Sequence, residues 1–295
     1  MGMNSEISWC DDTFNPWAGC FKVSPGCDNC YAETKSEMDG LKIWGPHADR
    51  TYYGDWHWGA PSDSETLARR EGRRRRVFCG SMCDWAEGRK EQRPHLKRLW
   101  SVIERTPSLD WLLLTKRPGA IPACYPAEWL EIPRNNVWMG TTTERQEELD
   151  LRWPILRDIQ AEVRWLSLEP LLGPIMLPDD FLALGNRAWC VVGGESGEHV
   201  RPMAQSWALR LRDQCVEAGV PFFFKQWGNW APVPEGMSKG IRCTIDGQEM
   251  VRFPSKTAAG HLLDGRVWEE YPTTSAGPPP PIPRPRVAPK KGVPQ

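Results

Sequence analysis

The run "WLLLTKRP", residues 111–118, places Thr115, Lys116 and Arg117 directly after four apolar side chains. A continuous apolar run of this length, ended by polar residues, is short for a helix and suits a strand covered on both faces. The pattern recurs as "RVFCGS" (76–81), "NVWMGTTTE" (136–144), "VRWLSLEP" (163–170), "WCVVGGESG" (189–197) and "PFFFKQWG" (221–228). With "EISWC" (6–10) ahead of them there are seven candidate strands. Glycine or polar residues and then a segment of helical character follow most of them, which predicts strands alternating with helices in a parallel α/β sheet. The clearest helices are expected at 91–105 and 205–218, the second stopped by Gly219.

The same runs end in functional groups. Ser81 and Asp84 follow the first, Lys116 and Arg117 the second, and Thr141, Thr142 and Glu144 the third. Glu169, then Glu195 and Ser196, then Lys225 and Gln226 follow the others. In a barrel or an open parallel sheet the C-terminal strand ends share one side, where active sites form, so these groups are expected to converge. Loops are polar in any protein, and that accounts for part of the pattern.

Length and composition agree with a globular chain. The 295 residues are 40% hydrophobic and 25% charged with a net charge of -1, which excludes a uniformly basic nucleic-acid coat but leaves room for local patches. No stretch approaches the roughly 20 apolar residues of a membrane span and the start lacks a signal-peptide core, so a cytoplasmic location is expected. The 17 tryptophans either pack the core or offer flat surfaces for stacking. Residues 40–76 read as an insertion without a sustained period, a lid or a substrate-binding arm, within a single domain over 1–272. The Pro-rich, basic stretch 273–295 cannot build a core and is expected to be disordered.

Ten cysteines without an export signal point to a reducing compartment and to metal binding in preference to cross-links. Cys20, Cys27 and Cys30 stand in C-x6-C-x2-C spacing. Three thiolates suit either of two centres. A structural zinc needs a fourth ligand, from His47, Cys10, Cys79 or Cys83. An iron-sulfur cubane on three thiolates keeps one iron open. Cys79, within an apparent strand, reads as packing, whereas Cys83 at a strand end is placed to approach a cluster. Gly193, Gly194, Glu195 and Ser196 form a turn in which glycine permits close backbone approach to a ligand. Lys116, Arg117, Arg201 and Lys225 are candidates for anchoring an anion, and Arg69, Arg70 and Arg73 to Arg76 read either as a solvated loop or as a patch touching phosphates. No P-loop and no Ser-His-Asp arrangement is present.

Seven motifs in consistent order over about 7–230 resemble the phage gp-thirty-seven/gp-sixty-eight family, three-cysteine proteins related to radical-SAM enzymes. They are "ISWCDDTFNPWAGCFKVSPGCDNCYAE", "SMCDW", "LTKRP", "NVWMGTTTERQ", "WLSLEPLLGPI", "VVGGESG" and "FFFKQWG". The resemblance implies a partial (β/α) barrel, TIM-barrel-like, of about six or seven parallel strands. It implies a [4Fe-4S] cluster on Cys20, Cys27 and Cys30, with S-adenosylmethionine on the open iron and a 5'-deoxyadenosyl radical as the hydrogen-abstracting species. Glu169, Gly193, Gly194, Glu195 and Ser196 are then expected to bind the cofactor, and Lys116, Arg117 and Lys225 to hold an anionic group. An external electron donor is required, and a nucleobase, nucleotide or nucleic acid is the expected substrate, in a bacterial host's cytoplasm if the chain is phage-encoded. The chain departs from the usual radical-SAM C-x3-C-x2-C spacing, has Asn29 where an aromatic residue precedes the last cysteine, and carries its "GGE" after a late strand. The alternatives are a zinc-stabilised nucleic-acid-binding or interaction protein, and an iron-sulfur enzyme that does not use S-adenosylmethionine.

Overall fold

Each apolar run from residue 76 onward forms a strand of one sheet in the computed structural model, which describes residues 1–277. The strands are β1 (Gly2–Met3), β2 (Asp12–Phe14), β3 (Trp17–Ala18), β4 (Thr51–Tyr52), β5 (Arg75–Cys79), β6 (Leu109–Thr115) and β7 (Val137–Thr142). They continue as β8 (Val163–Leu168), β9 (Ala188–Gly193), β10 (Phe222–Gln226), β11 (Trp230–Pro232), β12 (Arg242–Ile245) and β13 (Gln248–Arg252). The main sheet has the order β1-β2-β5-β6-β7-β8-β9-β10, parallel throughout except for β1 at one edge. It curls into a half barrel. The α/β expectation therefore holds at that level, but the sheet does not close as a TIM barrel, and an antiparallel edge strand beside the seven parallel ones brings it to eight.

Two strand assignments change for physical reasons. "EISWC" is not a strand: the Cys10 N–H donates to Ile7 O at 3.1 Å, making a turn that drives Trp9 and Cys10 into the core. The strand begins instead at Asp12, a residue that sequence patterns place in loops. Its buried carboxylate accepts from Arg75 Nε at 3.0 Å and Nη2 at 2.8 Å, so the charge is matched inside the sheet. β1 is only two residues long and leaves no periodicity to read.

Residues 40–76 are not an aperiodic insertion. They contain a 17-residue helix, Asp55–Glu71, that crosses from β2 to β5 and ends at Gly72 with φ +67°. Its buried residues, His57, Trp58, Pro61, Ser64, Glu65 and Ala68, keep a helical spacing, but half of them are polar and hide the apolar period. The other helices follow expectation: Arg93–Arg105, preceded by a 3-10 turn at Lys90–Gln92, and Gln205–Ala218, stopped by Gly219 at φ +67°. Most of the expected tail lies outside the described residues, and its first part is tied down. The Thr273 N–H donates to Asn186 Oδ1 at 3.1 Å and the Ser275 N–H to Glu162 Oε1 at 2.7 Å. Among the described residues no helix is long and apolar enough to cross a membrane.

Strand alternation gives the sheet two different faces. The outer side chains, among them Val77, Leu113, Met139, Leu166, Val192 and Phe224, pack in the larger core with the helices. The inner, concave face holds Phe78, Leu112, Trp138, Trp165, Trp189, Val191 and Phe223, joined by Trp9. The indoles meet mostly at steep angles: Trp9 and Trp165 have centroids 5.4 Å apart, Trp138 and Trp189 5.7 Å. Gly140 makes room for them, since a Cβ there would lie 2.3 Å from the Trp165 ring. Higher on the same face, Thr142, Ser167 and Lys225 replace the aromatics, so the concave side changes from a packed floor to a polar cavity.

Gly140→Ala is expected to destabilise the fold by about 1–3 kcal/mol through overpacking, measured by chemical denaturation. His57, buried at the start of the crossover helix with Nε2 2.8 Å from Asn15 O, has its pKa lowered by burial from 6.5 to about 4. The unfolded chain thus takes up this proton first: the contribution is complete above about pH 6.5 and is lost as pH falls toward about 4. A His57→Gln variant is expected to show a shallower decline of Tm between those pH values than the wild type.

Candidate functional site

The C-terminal ends of the strands open into a cavity of about 630 Å³. Cys20, Cys27 and Cys30 all line it, as do Cys83, Lys116, Arg117, Glu169, Gly194, Glu195, Ser196 and Lys225. The convergence expected from the strand ends is therefore real, and it brings residues far apart in sequence to one surface.

The cysteine loop enters at Gly19, whose φ of +107° and approach to Ile43 O, 2.4 Å from an ideal Cβ, leave no room for a side chain. Cys27 closes a 3-10 turn at Pro25–Cys27, and Cys30 precedes the helix Tyr31–Met38. Opposed charges fasten this loop over the cavity. Ser24 Oγ donates to Glu144 Oε1 at 2.8 Å; Glu144 also receives Lys116 Nζ, and Arg152 Nη1 at 3.0 Å. Arg117 Nη2 donates to Phe21 O at 2.8 Å, while its Nη1 binds Asp84 Oδ2 at 2.6 Å and lies 3.6 Å from Cys20 Sγ. Arg201 donates to Pro25 O at 2.9 Å, Asp28 Oδ2 at 3.2 Å and Glu195. Asn29 Nδ2 reaches Glu195 Oε2 at 3.0 Å and His199 O at 2.7 Å.

These bonds give several expected ligand contacts a different structural task. Glu195 is buried and engaged by Arg201 and Asn29; Lys116 and Arg117 are paired with Glu144 and Asp84. The glycines of the "GGE" turn serve backbone packing: a Cβ on Gly194 would stand 2.0 Å from Trp227 O, and one on Gly193 2.9 Å from Glu169 Oε1. Ser196 lies half-buried on the wall. Glu169, after β8, and Lys225, in β10, meet across the intervening β9 with Nζ 2.8 Å from Oε1, and both line the cavity. Arg201, an anion-anchor candidate by sequence, instead spends its guanidinium on Glu195 and the cysteine loop, and Asn29 carries no sequence signal for its role, because no spacing rule connects either with its partners.

Two of the three loop thiols, Cys20 and Cys30, are pushed above their ordinary range. Burial pushes Cys20 up to about 12, with Asp84 acting in the same sense and Arg117 against it. Burial also raises Cys30, and Cys27 adds to the effect. The Glu144 carboxyl is held below the usual range despite burial because Lys116 and Arg152 lie beside it. Metal binding to these cysteines would have to release their protons. In donor chemistry the site fits a thiophilic centre, because three thiols of one loop line one cavity. The described residues nonetheless do not gather three or more His, Cys, Asp or Glu side chains as a ready metal site. All ten cysteines are free, Cys79 is packed in the core as expected, and His47 is exposed.

The arginine run makes structural contacts. Arg73 binds Asp11 at 2.8 Å, Arg74 Asp110 at 2.8 Å, Arg75 Asp12 at 2.8 Å, and Arg69 Glu65 at 2.8 Å. Arg76 lies over the Tyr271 ring at 3.5 Å.

Arg201→Ala removes several bonds to the cysteine loop, each hydrogen bond worth roughly 1 kcal/mol. Local opening is expected about fivefold more often or better, seen as faster tryptic cleavage after Lys22, with a smaller effect on global Tm. Equal cleavage rates in variant and wild type would show that Arg201 does not hold the loop.

No curated protein and no solved structure matches the chain. The family model described as "Protein of unknown function (DUF5131)" matches residues 4–272, nearly the whole described chain, and the protein belongs to that family.

Proposed function

We propose that the protein is a cytoplasmic iron-sulfur enzyme of the radical-SAM-like kind, with Cys20, Cys27 and Cys30 as cluster ligands and a nucleobase or nucleic acid as substrate. The observation that carries this reading is the loop itself: three thiols, spaced to hold one centre, line a cavity at the C-terminal end of a parallel half barrel. The resemblance to the phage three-cysteine family supports it. With S-adenosylmethionine on its open iron, such a cluster supplies one-electron cleavage of a sulfonium and so a carbon radical able to take hydrogen from a substrate.

The chain's own residues supply position and exclusion of water. Asp84, Glu144 and Glu195 hold the basic groups that clamp the loop, so the thiols face the cavity from a fixed frame. The tryptophan floor closes the half barrel from below and keeps bulk water from that side. Glu169 and Lys225 present an acid and a base on one wall, complementary to a ligand that carries both charges. Ser167, whose Oγ lies 3.4 Å from Glu169 Oε2, adds a neutral hydroxyl beside them. An external donor supplies the electron.

A second reading is favoured by one observation. Cys83 lines the same cavity as the three loop cysteines and would complete a closed four-thiolate zinc site in a binding protein without catalysis.

Anaerobic purification and reconstitution, followed by iron, sulfide and zinc analysis, separates the two. The expected result is about four irons with matching sulfide and a brown protein, lost in Cys27→Ala and kept in Cys83→Ala. Stoichiometric zinc without iron, sensitive to Cys83→Ala, would replace the enzyme reading by the zinc one. Cluster absorption that is unaffected by added S-adenosylmethionine would retain the iron and remove the cofactor.

A further inference from the structure

Two tryptophans line the cavity, and they differ in what surrounds them. Trp9 is 1% exposed and packed on Phe78, Trp165 and Trp189, so it belongs to the floor. Trp44 is half-buried and has no aromatic or cationic partner among the described residues. Of the other rings in the lining, Phe21 is covered by the Arg117 guanidinium at 4.2 Å, and Tyr31 is tethered through its hydroxyl, which donates to Ser81 O at 2.7 Å.

Trp44 is held with unusual care for an irregular segment. Arg50 donates to Ile43 O at 2.8 Å, Gly45 O at 3.0 Å and Ala48 O at 2.7 Å. Arg89 donates to Pro46 O at 2.7 Å and Ala48 O at 2.9 Å. Both arginines are fixed by Glu87, and the Arg50–Glu87 side chains are completely buried. The Gly45 N–H donates to Cys20 O at 2.8 Å, locking the segment to the cysteine loop. The loop that carries the indole therefore needs little further ordering when a ligand arrives, which is where flexible loops lose affinity.

We propose that Trp44 is a stacking platform for the planar nitrogen heterocycle of a nucleotide, either the adenine of the cofactor or a base of the substrate. An unpaired indole beside a cavity has a free π-face, and base-aromatic stacking tolerates any base. The rest of the wall favours a nucleotide over a purely apolar ring. Lys116, Arg117, Glu169 and Lys225 are ion-paired but still line the cavity, so a hydrocarbon would strip their remaining hydrogen-bonding capacity of water, whereas sugar, phosphate or amino-acid groups can meet it. The proposal rests on the cavity being the ligand site, as in the proposed function, but not on the metal.

Calorimetric titration of the anaerobically reconstituted protein with S-adenosylhomocysteine, adenosine 5'-monophosphate and oligothymidylate tests it. Trp44→Ala is expected to weaken binding about tenfold or more, and Trp44→Phe to restore it to within about threefold of the wild type. A loss confined to S-adenosylhomocysteine assigns the platform to the cofactor's adenine, and a loss confined to the other probes assigns it to the substrate's base. Unchanged affinity of Trp44→Ala for every probe, or no binding of any probe to the wild type, overturns the proposal. Thermal unfolding checks that the variants fold, and iron analysis of the same samples keeps the two readings apart. Unchanged affinity with iron retained refutes the platform alone; stacking lost on substitution in a protein without iron refutes the cluster alone.

Discussion

Pairing of desolvated charge at the strand ends is the constraint on which the rest of the structure depends. A carboxylate removed from water is costly unless a counter-charge and hydrogen bonds accompany it. Asp84, Glu144, Glu169 and Glu195 follow β5, β7, β8 and β9, and each meets a base: Arg117, Lys116 with Arg152, Lys225 and Arg201. Glu144, Arg117, Glu195 and Arg201 also bind the cysteine loop, so the charges that the sheet must neutralise are the ones that fasten its cover. Strand-end charge in this protein is thus part of the architecture of the cavity wall before it is a set of ligand contacts.

The cavity has a floor for an equally physical reason. A half barrel exposes a concave face that no helix covers, and large side chains must fill it. Trp138, Trp165 and Trp189 do so from adjacent strands, with Trp9 inserted from the turn that replaces an expected strand. The indole nitrogens of Trp9, Trp138 and Trp165 find no partner there, a cost accepted for the volume the rings occupy. Because Gly140 cedes its space to Trp165, the filling ends below Thr142, Ser167 and Lys225, and the cavity begins.

Much of the site was legible and some of it misled. Cys20, Cys27 and Cys30 announced a shared site through close spacing, and they do line one cavity. Lys116, Arg117, Glu195 and Lys225 were found because charge directly after an apolar run is conspicuous. Which of these charges meet was not legible, since pairs form between separate segments and Arg201 reaches Asp28 and Pro25 across more than 170 residues of sequence. The arginine run 73–76 looked like an anion patch because its carboxylates, Asp11, Asp12 and Asp110, lie on other segments. Trp44 stood out from sixteen other tryptophans only when burial and ring partners were known.

By itself the sequence determined the repeating α/β order, the six later strands and the two long helices around 93–105 and 205–218, because apolar periodicity and glycine stops are local signals. It also determined that three cysteines belong together. Tertiary structure decided what local signals cannot carry. It placed a strand at Asp12, where a distant arginine cancels the charge, and a helix over 55–71, where buried polar residues mask the period. It left the sheet an open half barrel with eight strands, since closure depends on the twist and on what fills the concave face. And it decided which charges face one another, because pairing is a matter of distance in space and not of spacing along the chain.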